Sequence, residues 1–239
     1  MHLGASYFAD PIAKERHVVA FLESIRHDAA AIYLVGDVLD YWYEYRQVVP
    51  RGFVRFFGKL AELADQGVKI TWMIGNHDIW IFDYLPRELG IEVADGVLVR
   101  EMEGKKFLIT HGDGVGKMSR TFRLLRGLFR NKLCQKMYAS VHPRWTIPFA
   151  KGWSSQNRGT HPVASPYQGP EAETLMLFAR EYALEHPDID YFIFGHRHIL
   201  VDEEIAAGKH AVILGEWIDL CSYARFADGR LTLHKYITT

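Results

Sequence analysis

The sequence predicts an α/β protein, a layered sandwich of two mixed sheets flanked by helices, with a helical cap inserted into it. Two observations lead to this fold class. Four short apolar runs, typical of buried strands, each end abruptly in polar residues, and helical patterns lie between them. A basic segment without acidic residues interrupts this alternation between the third and fourth runs. The four runs are residues 31–35, 68–74, 106–110 and 191–194.

The predicted helices follow from the spacing of apolar residues. Helical spacing occurs in three segments, residues 11–27, 52–66 and 79–89. A further helix is expected from Pro170 to Glu185, since proline and acidic residues are favoured in a first turn.

The remaining strands are predicted from β-type runs and turn residues. Strands at 97–102 and 105–110 are joined by Glu103-Gly104, which predicts a hairpin. Strands at 200–205, 210–214 and 231–237 follow near the end of the chain. Asp228-Gly229 lies before the last of these and is a strong hairpin turn.

Composition restricts the class of protein. At 239 residues, 49% hydrophobic and 24% charged, the chain has the size and composition of a globular domain. Two isolated cysteines, Cys134 and Cys221, give no disulfide framework, which favours a reducing cytoplasm. The sequence contains no uninterrupted apolar run of membrane-spanning length.

Charge is distributed unevenly along the chain. Residues 114–170 contain ten Lys or Arg residues and no Asp or Glu, whereas the rest of the chain contains 18 basic and 29 acidic residues. This asymmetry predicts an insertion that faces an anionic partner. We therefore expect a core domain of residues 1–113 and 171–239 and a basic helical cap of residues 114–170.

Ligand-type side chains follow each of the four predicted buried strands. The four motifs are Gly36-Asp37-Val38-Leu39-Asp40, Gly75-Asn76-His77-Asp78, His111-Gly112-Asp113 and Gly195-His196-Arg197-His198. In an open α/β sheet, ligands bind beyond the carboxyl ends of the strands, so we expect these side chains to converge. Oxygen and imidazole donors together suit Mn²⁺, Fe²⁺ or Zn²⁺, which predicts a metal-dependent hydrolase.

Each motif taken alone has a simpler interpretation. Asp37 and Asp40 after a glycine could form a turn and cap the next segment. His77 or His111 alone is typical of an ordinary hydrogen-bonded histidine, and Asp113 could only orient His111. Four motifs in this order make coincidence a poor explanation. The remaining histidines are interpreted as structural: His17, His27, His142, His161, His186, His210 and His234.

The order of the motifs resembles that of the calcineurin-like metallophosphoesterases. That family pattern runs D-x-H, G-D-x-x-D, G-N-H-D/E, H-G and G-H-x-H, each at a strand end, and the last four are present here. For the first motif, His2 stands at the histidine position, but the Asp and its strand are absent. We expect a missing N-terminal stretch rather than a site that has lost one carboxylate.

The resemblance implies two divalent ions, with Mn²⁺ expected and Fe²⁺ or Zn²⁺ as alternatives. The implied metal ligands are His2 and His198 with the absent Asp for one ion, Asn76, His111 and His196 for the other, and Asp37 as the bridge. The implied catalytic residues are His77, a general acid or charge stabiliser, and Asp78, which would orient it. Two cations about 3.5–4 Å apart can clamp a phosphoryl group and lower the pKa of a bridging water toward about 7.

The basic cap is open to two interpretations. Apolar residues repeat at helical spacing within residues 118–138, and basic residues fill much of the rest. Such a helix is typical of one that lies on an anionic membrane surface, and it could equally pack on its own domain. The cap also contains aromatic residues, but no recognised nucleic-acid motif is present and no nucleic-acid partner is expected.

A polar cluster follows the basic helix. Ser154, Asn157 and Arg158 lie where the chain leads back toward the core. We expect them, together with Asn76, to contact the phosphate or sugar of a substrate; an ordinary loop is the alternative.

Within the family, the compact size and the basic insertion between the third and fourth motifs resemble the UDP-2,3-diacylglucosamine pyrophosphatases of lipid A biosynthesis. This resemblance implies a nucleotide-sugar lipid substrate, release of UMP, and a cytoplasmic location peripheral to the inner membrane. His77 departs from the best-known members, which carry Gly-Asn-Arg-Asp at this motif. The alternatives are a phosphodiesterase or pyrophosphatase for a soluble nucleotide or another phospholipid, and a non-catalytic binding protein of the same fold.

Overall fold

The computed structural model describes residues 1–116, 118–159 and 166–237, without the side chains of Lys151 and residues 153–159. The chain forms two compact units. Unit 1 contains Met1–Ala94 and Ser119–His161, and unit 2 contains Asp95–Met118 and Pro162–Thr239. Both units combine helices with β-sheet, so the predicted α/β class is confirmed. The predicted core and cap boundaries stay a prediction; in the structure the cap helices group with residues 1–94.

Unit 1 is built on a three-stranded parallel sheet in the order β1-β2-β3. Its strands are β1 (Ala31–Val35), β2 (Lys69–Met73) and β3 (Glu92–Ala94). β1 and β2 match predicted buried runs, whereas β3 is too short to give a sequence pattern. Val35 pairs with Met73, so both strands end at the same edge of the sheet. The motif loops that follow β1 and β2 therefore begin side by side.

Three helices alternate with these strands along the chain: α1 (Pro11–Ser24), α2 (Val54–Asp65) and α3 (Tyr84–Leu89). Asp10 caps α1 by accepting the N–H groups of Ile12 and Ala13 at 3.0 and 2.9 Å. α2 has no cap from its own segment. Instead the buried Glu15 carboxylate accepts the N–H groups of Arg55 and Phe56 at 2.8 and 3.1 Å, which fixes α1 to the start of α2.

The helix predicted over residues 79–89 is shorter than expected, because it begins only at Tyr84. Trp80 instead forms an isolated parallel bridge with Tyr43. The Glu44 carboxylate then accepts the N–H groups of Phe82, Asp83 and Tyr84 at 2.5, 2.8 and 3.2 Å. A carboxylate from another loop thus defines the start of α3.

The cap consists of α4 (Arg120–Arg130), α5 (Lys132–Ser140) and α6 (Pro143–Gly159). The single basic helix predicted over residues 118–138 is wrong. Asn131 interrupts it with an extended backbone, and its side chain accepts the N–H groups of Leu133 and Cys134 at 2.9 and 3.2 Å as the N-cap of α5. Within the described ranges, no helix is both long and apolar enough to cross a bilayer.

Unit 2 is built on a mixed five-stranded sheet in the order β4-β5-β6-β8-β7. Its strands are β4 (Leu98–Met102), β5 (Lys105–Thr110), β6 (Tyr191–Phe194), β7 (Leu200–Ala206) and β8 (Lys209–Leu214). The antiparallel β4–β5 pair confirms the hairpin predicted at Glu103-Gly104. β5 and β6 are parallel, with Thr110 opposite Phe194, so the motifs that follow them start at one sheet edge.

A second, two-stranded sheet in unit 2 pairs β9 (Ser222–Ala227) with β10 (Arg230–Lys235) in antiparallel fashion. The turn between them is Asp228-Gly229, as predicted. β9 was not expected, because its alternation is weakened by small and charged residues.

The last helix, α7 (Thr174–Glu185), supplies the core of unit 2. It begins at Thr174, so the start predicted at Pro170 is wrong; Glu173 takes the N-cap position with an extended backbone. The buried face of α7 packs on the five-stranded sheet. The residues of this core include Leu108, Leu175, Met176, Ala179, Phe192, Phe194 and Ile213.

We predict that Glu44→Ala destabilises the protein by about 2–4 kcal/mol, because three N–H groups at the start of α3 lose their acceptor. Urea unfolding followed by tryptophan fluorescence measures this change. The control is Glu88→Ala, which removes an exposed carboxylate from α3 itself. Equal midpoints for the two variants would contradict the capping role of Glu44.

Candidate functional site

The carboxylate of Asp78 joins the two motif loops of unit 1. Its Oδ1 accepts the N–H groups of Gly75 at 2.8 Å and Asp37 at 3.3 Å. Its Oδ2 accepts the N–H of Val38 at 2.9 Å and the indole N–H of Trp72 at 3.2 Å. Asp78 has no exposed surface. It therefore fixes the loop after β1 to the loop after β2 without reaching solvent.

Asp37 approaches the second loop so closely that glycine is required there. A Cβ atom at Gly75 would lie 2.3 Å from Asp37 Oδ1 and 2.4 Å from its backbone nitrogen. The same Oδ1 accepts the N–H of His77 at 2.9 Å. Asp37 is 4% exposed and has a φ of 49°. The predicted bridging carboxylate is thus held by the backbone of the G-N-H-D motif.

Two histidines face the second aspartate of the first loop. His2 Nδ1 lies 3.6 Å and His77 Nδ1 lies 3.5 Å from Asp40 Oδ1, and the two rings meet edge to face at 4.7 Å. His77 Nδ1 is also 3.1 Å from the Asp40 carbonyl oxygen. On its other side, His2 Nε2 lies 3.7 Å from Asp37 Oδ2.

These separations fit a metal site. His2, Asp40 and His77 each offer one donor atom, and the three atoms lie within 4.8 Å of one another. Donor atoms about 2.1 Å from a shared tetrahedral cation lie about 3.4 Å apart, close to the distances seen here and longer than a hydrogen bond. These donor types suit a divalent transition-metal ion, but His77 Nδ1 also lies 3.1 Å from the Asp40 carbonyl oxygen, so a hydrogen bond engages this ring nitrogen.

Asp40 is part of the first predicted motif, but the sequence analysis assigned it no individual role in the site. The structure places its carboxylate against both His2 and His77. The signal for this was the spacing Gly36-Asp37-x-x-Asp40, in which the second aspartate recurs after two apolar residues. The orienting role predicted for Asp78 stays a prediction; its carboxylate accepts hydrogen bonds from backbone amides and an indole.

Unit 2 brings together the other predicted ligands. His111 follows β5 and is 2% exposed, and its carbonyl accepts the N–H of Gly195 at 3.0 Å. The rings of His111 and His196 lie 5.2 Å apart at 71°. Gly112, with a φ of 113°, provides the turn between β5 and the buried Asp113.

A partly buried ion pair holds the histidine loop after β6. Arg197 Nε and Nη2 donate to the two Glu173 carboxylate oxygens at 2.8 and 3.0 Å. Glu173 is 3% exposed, and its hydrogen bonds raise the pKa of the Arg197 guanidinium. Because Arg197 lies between His196 and His198, this bidentate bridge orients both histidines. No local sequence pattern indicates this role for Glu173, because it lies 24 residues away from Arg197.

Four predicted ligands share an unusual backbone conformation. Among the described residues, eight that are not glycine have a positive φ, and four of these are His2, Asp37, His196 and His198. The left-handed region costs such residues about 1 kcal/mol or more. Strain concentrated in this way is typical of functional sites, where it aims side chains that regular structure would point elsewhere.

The other predicted site residues are placed less completely. Asn76 lies half-buried in the loop after β2. Ser154, Asn157 and Arg158 belong to α6, but their side chains lie outside the described part of the structure. Their predicted contact with substrate therefore stays a prediction.

The profile of the calcineurin-like phosphoesterases matches residues 8–200. The chain belongs to that family. The match covers most of the chain and includes the three motifs from Gly36 through Asp113 and the Gly195–His198 motif. The resemblance inferred from these motifs is thereby confirmed, and membership makes the protein a hydrolase of the metallophosphoesterase type that uses divalent metal ions.

Three curated relatives of this chain are enzymes with the same name. The chain is 46% identical over 246 residues to the UDP-2,3-diacylglucosamine hydrolase of Porphyromonas gingivalis, covering 98% of this chain and 94% of that one. It is 27% identical to the enzyme of the same name from Serratia proteamaculans, covering 86% of both chains. The corresponding protein of Ectopseudomonas mendocina is 27% identical, with coverage of 90% and 87%.

We predict that Asp78→Ala lowers the free energy of unfolding by about 3 kcal/mol or more, because four buried donors lose one acceptor side chain. Asp83→Ala is the control, since Asp83 pairs with Arg87 on the surface of α3. Urea denaturation measures both variants. A loss at Asp78 no larger than that at Asp83 would refute the role of Asp78 in joining the loops.

Proposed function

We propose that the protein hydrolyses the phosphoric anhydride of UDP-2,3-diacylglucosamine, giving UMP and 2,3-diacylglucosamine 1-phosphate in lipid A biosynthesis. The observation that carries this proposal is the 46% identity, over nearly the whole chain, to a UDP-2,3-diacylglucosamine hydrolase. In the reaction, water adds to the α-phosphorus and the bond from that phosphorus to the bridging oxygen breaks. The acylated sugar phosphate leaves with the bridging oxygen.

The metal ligands in this proposal follow the family pattern. His2 and His198 would hold one ion, Asn76, His111 and His196 would hold the other, and Asp37 would contribute to both. Mn²⁺ is the proposed ion. Two such ions supply Lewis acidity toward the phosphoryl oxygens and make a water molecule acidic enough to attack near neutral pH.

The protein's own residues set up the proton chemistry. His77 Nδ1 faces the carbonyl and carboxylate of Asp40, so Nε2 is the ring atom proposed to act on the phosphoryl group as a general acid or charge stabiliser. Asp37 fixes the His77 backbone, and Asp78 fixes the loop that carries Asp37. Asn76 contributes a neutral carbonyl, which keeps the charge of the site low before an anionic substrate binds.

The cap is proposed to receive the lipid part of the substrate and to rest on an anionic membrane surface. The described face of α4 exposes Leu124 by 75% and Leu128 by 50%, and Arg120 and Arg123 are exposed beside them. Leucines flanked by arginines are suited to the boundary between acyl chains and anionic head groups. This would place the enzyme in the cytoplasm, peripheral on the inner membrane.

We predict that UMP is released from UDP-2,3-diacylglucosamine in detergent when Mn²⁺ is present. His77→Ala should lower kcat by roughly 10²–10⁴-fold, because the proposed acid is lost. Chromatographic assay of UMP measures both. Removal of the metal by a chelator should abolish release, and added Mn²⁺ should restore it.

The matched control for His77→Ala is His27→Ala, which removes an exposed histidine from unit 1 and should retain full activity. Equal turnover of a soluble UDP-sugar would favour a soluble-nucleotide pyrophosphatase. Metal binding without hydrolysis of either substrate would favour the non-catalytic binding protein.

We also predict that the protein sediments with vesicles that contain anionic phospholipid, and that raising the salt concentration weakens this binding. The double variant Leu124→Gln/Leu128→Gln should bind about tenfold less tightly, because less apolar surface enters the bilayer boundary. Leu184→Gln is the control, since Leu184 is 84% exposed on α7 outside the cap. Failure to bind at low salt would exclude membrane docking.

A further inference from the structure

The cap has very little core of its own. No side chain of α4 or α5 is buried, and among the described side chains of α6 only Thr146 is buried. Helices without a buried face are marginal in isolation, so contacts with the rest of unit 1 must hold them in place. Those contacts are concentrated in one cluster of aromatic and hydroxyl side chains.

We name this cluster the aromatic clamp. It joins two loops of the sheet domain to the base of the cap. Its members are Tyr41, Tyr43, Tyr45 and Trp80 on the loops, and Phe129, Tyr138 and Thr146 on the cap.

Ring stacking forms the centre of the aromatic clamp. The rings of Trp80 and Tyr138 stack at 5.0 Å with 28° between their planes. Tyr43 contacts both of these rings, at 5.3 Å from Trp80 and 4.9 Å from Tyr138. Phe129 meets Trp80 edge to face at 5.6 Å. Aromatic pairs in such geometries add directional stability beyond burial.

Hydrogen bonds fix the orientation of the stacked rings. Trp80 Nε1 donates to the Phe129 carbonyl at 2.9 Å, and the Tyr43 hydroxyl donates to the Gln135 carbonyl at 2.6 Å. The Tyr138 hydroxyl donates to the Thr146 carbonyl at 3.0 Å. These bonds engage the last residues of α4, the middle of α5 and the first turn of α6. Each cap helix is therefore tied to the same cluster.

The hydroxyl groups of Tyr41 and Tyr138 lie 3.0 Å apart. Tyr45 also hydrogen-bonds to the Thr146 hydroxyl. Burial raises the pKa of Tyr41, Tyr43 and Tyr138 above the ordinary tyrosine value, which further favours their neutral hydroxyl forms.

The loops that carry the aromatic clamp also carry the candidate site. Tyr41 directly follows Asp40, whose carboxylate and carbonyl face His77. Trp80 lies three residues after His77 and pairs with Tyr43 in an isolated parallel bridge. The base of the cap is therefore fixed to the same two loops that carry Asp40 and His77.

We infer that Tyr43, Trp80 and Tyr138 are positioning residues that set the cap against the Asp40 and His77 loops and thereby confer preference for a lipid-linked substrate over a soluble nucleotide. This inference rests on the proposed function for the identity of the lipid. In this inference, a soluble nucleotide contacts only the metal-binding loops. An acylated substrate also contacts the cap, so it binds well only when the cap is correctly placed relative to those loops. Loosening the aromatic clamp raises KM for the acylated substrate and leaves kcat for a small one unchanged.

The test uses the double variant Tyr43→Phe/Tyr138→Phe, which keeps both rings and removes the hydroxyls that bond to Gln135, Thr146 and Tyr41. Tyr84→Phe is the matched control, since the Tyr84 ring packs on Trp42 and Phe57 within unit 1. Both variants are measured as full-length protein loaded with Mn²⁺. Trp80→Phe provides a second, independent variant that removes the indole donor to Phe129 and reduces the ring area stacked on Tyr138.

The first readout is amide hydrogen exchange, which needs no substrate. The double variant should exchange faster than wild type in α4 and α5, while the exchange of β1 and β2 and the thermal midpoint stay close to those of Tyr84→Phe. Exchange in the cap unchanged from wild type would overturn the inference. General acceleration throughout unit 1 would also overturn it, because that pattern belongs to a purely structural role.

The second readout is the split between KM and kcat. KM for UDP-2,3-diacylglucosamine should rise on the order of tenfold, because the loss of three hydrogen bonds weakens the attachment of the cap, with kcat within twofold. Turnover of a uridine 5′-phosphate aryl ester should be unchanged. Parallel losses on both substrates would refute the specificity role. A wild-type enzyme that hydrolyses neither substrate would instead refute the proposed function, and the exchange result would still decide whether the aromatic clamp holds the cap.

Discussion

The arrangement of the candidate site depends on one buried carboxylate. Asp78 accepts hydrogen bonds from backbone amides of both motif loops in unit 1 and from an indole, in a place that solvent does not reach. A charged acceptor with several N–H donors is among the stronger interactions available inside a protein. It brings Asp37 against Gly75 at a distance that permits no side chain there. The positions of the two loops that carry Asp40 and His77 depend on these hydrogen bonds of Asp78.

The strands that precede these loops were well predicted from sequence, and the reason is physical. Buried parallel strands require continuous apolar runs, so β1, β2, β5 and β6 leave a local pattern that sequence reasoning detects. Ligand-type residues directly after such runs gave the motifs, and their order gave the family. β3 and β9 escaped because one is only three residues long and the other mixes small and charged residues.

What sequence could not give is set by contacts between distant residues. The start of α3 is displaced from prediction because Glu44, from another loop, accepts the N–H groups there. The start of α7 is displaced to Thr174, and the preceding Glu173 binds the distant Arg197. The break at Asn131 depends on whether a side chain caps the next helix or remains in a continuous one, and both choices fit the same apolar spacing. The contact of Asp40 with two histidines likewise needed the fold of the loop.

The aromatic clamp has a consequence for how such a protein can diversify. Because a few rings at its base secure the cap, and its helices have almost no interior, the outward surface of α4 and α5 is released from the demands of packing. New side chains can be accepted there without repacking a core, while the loops that carry the chemistry keep their geometry. In a hydrolase with this architecture, the substrate-recognition surface of the cap can change by substitution, provided that the rings that anchor the cap are retained.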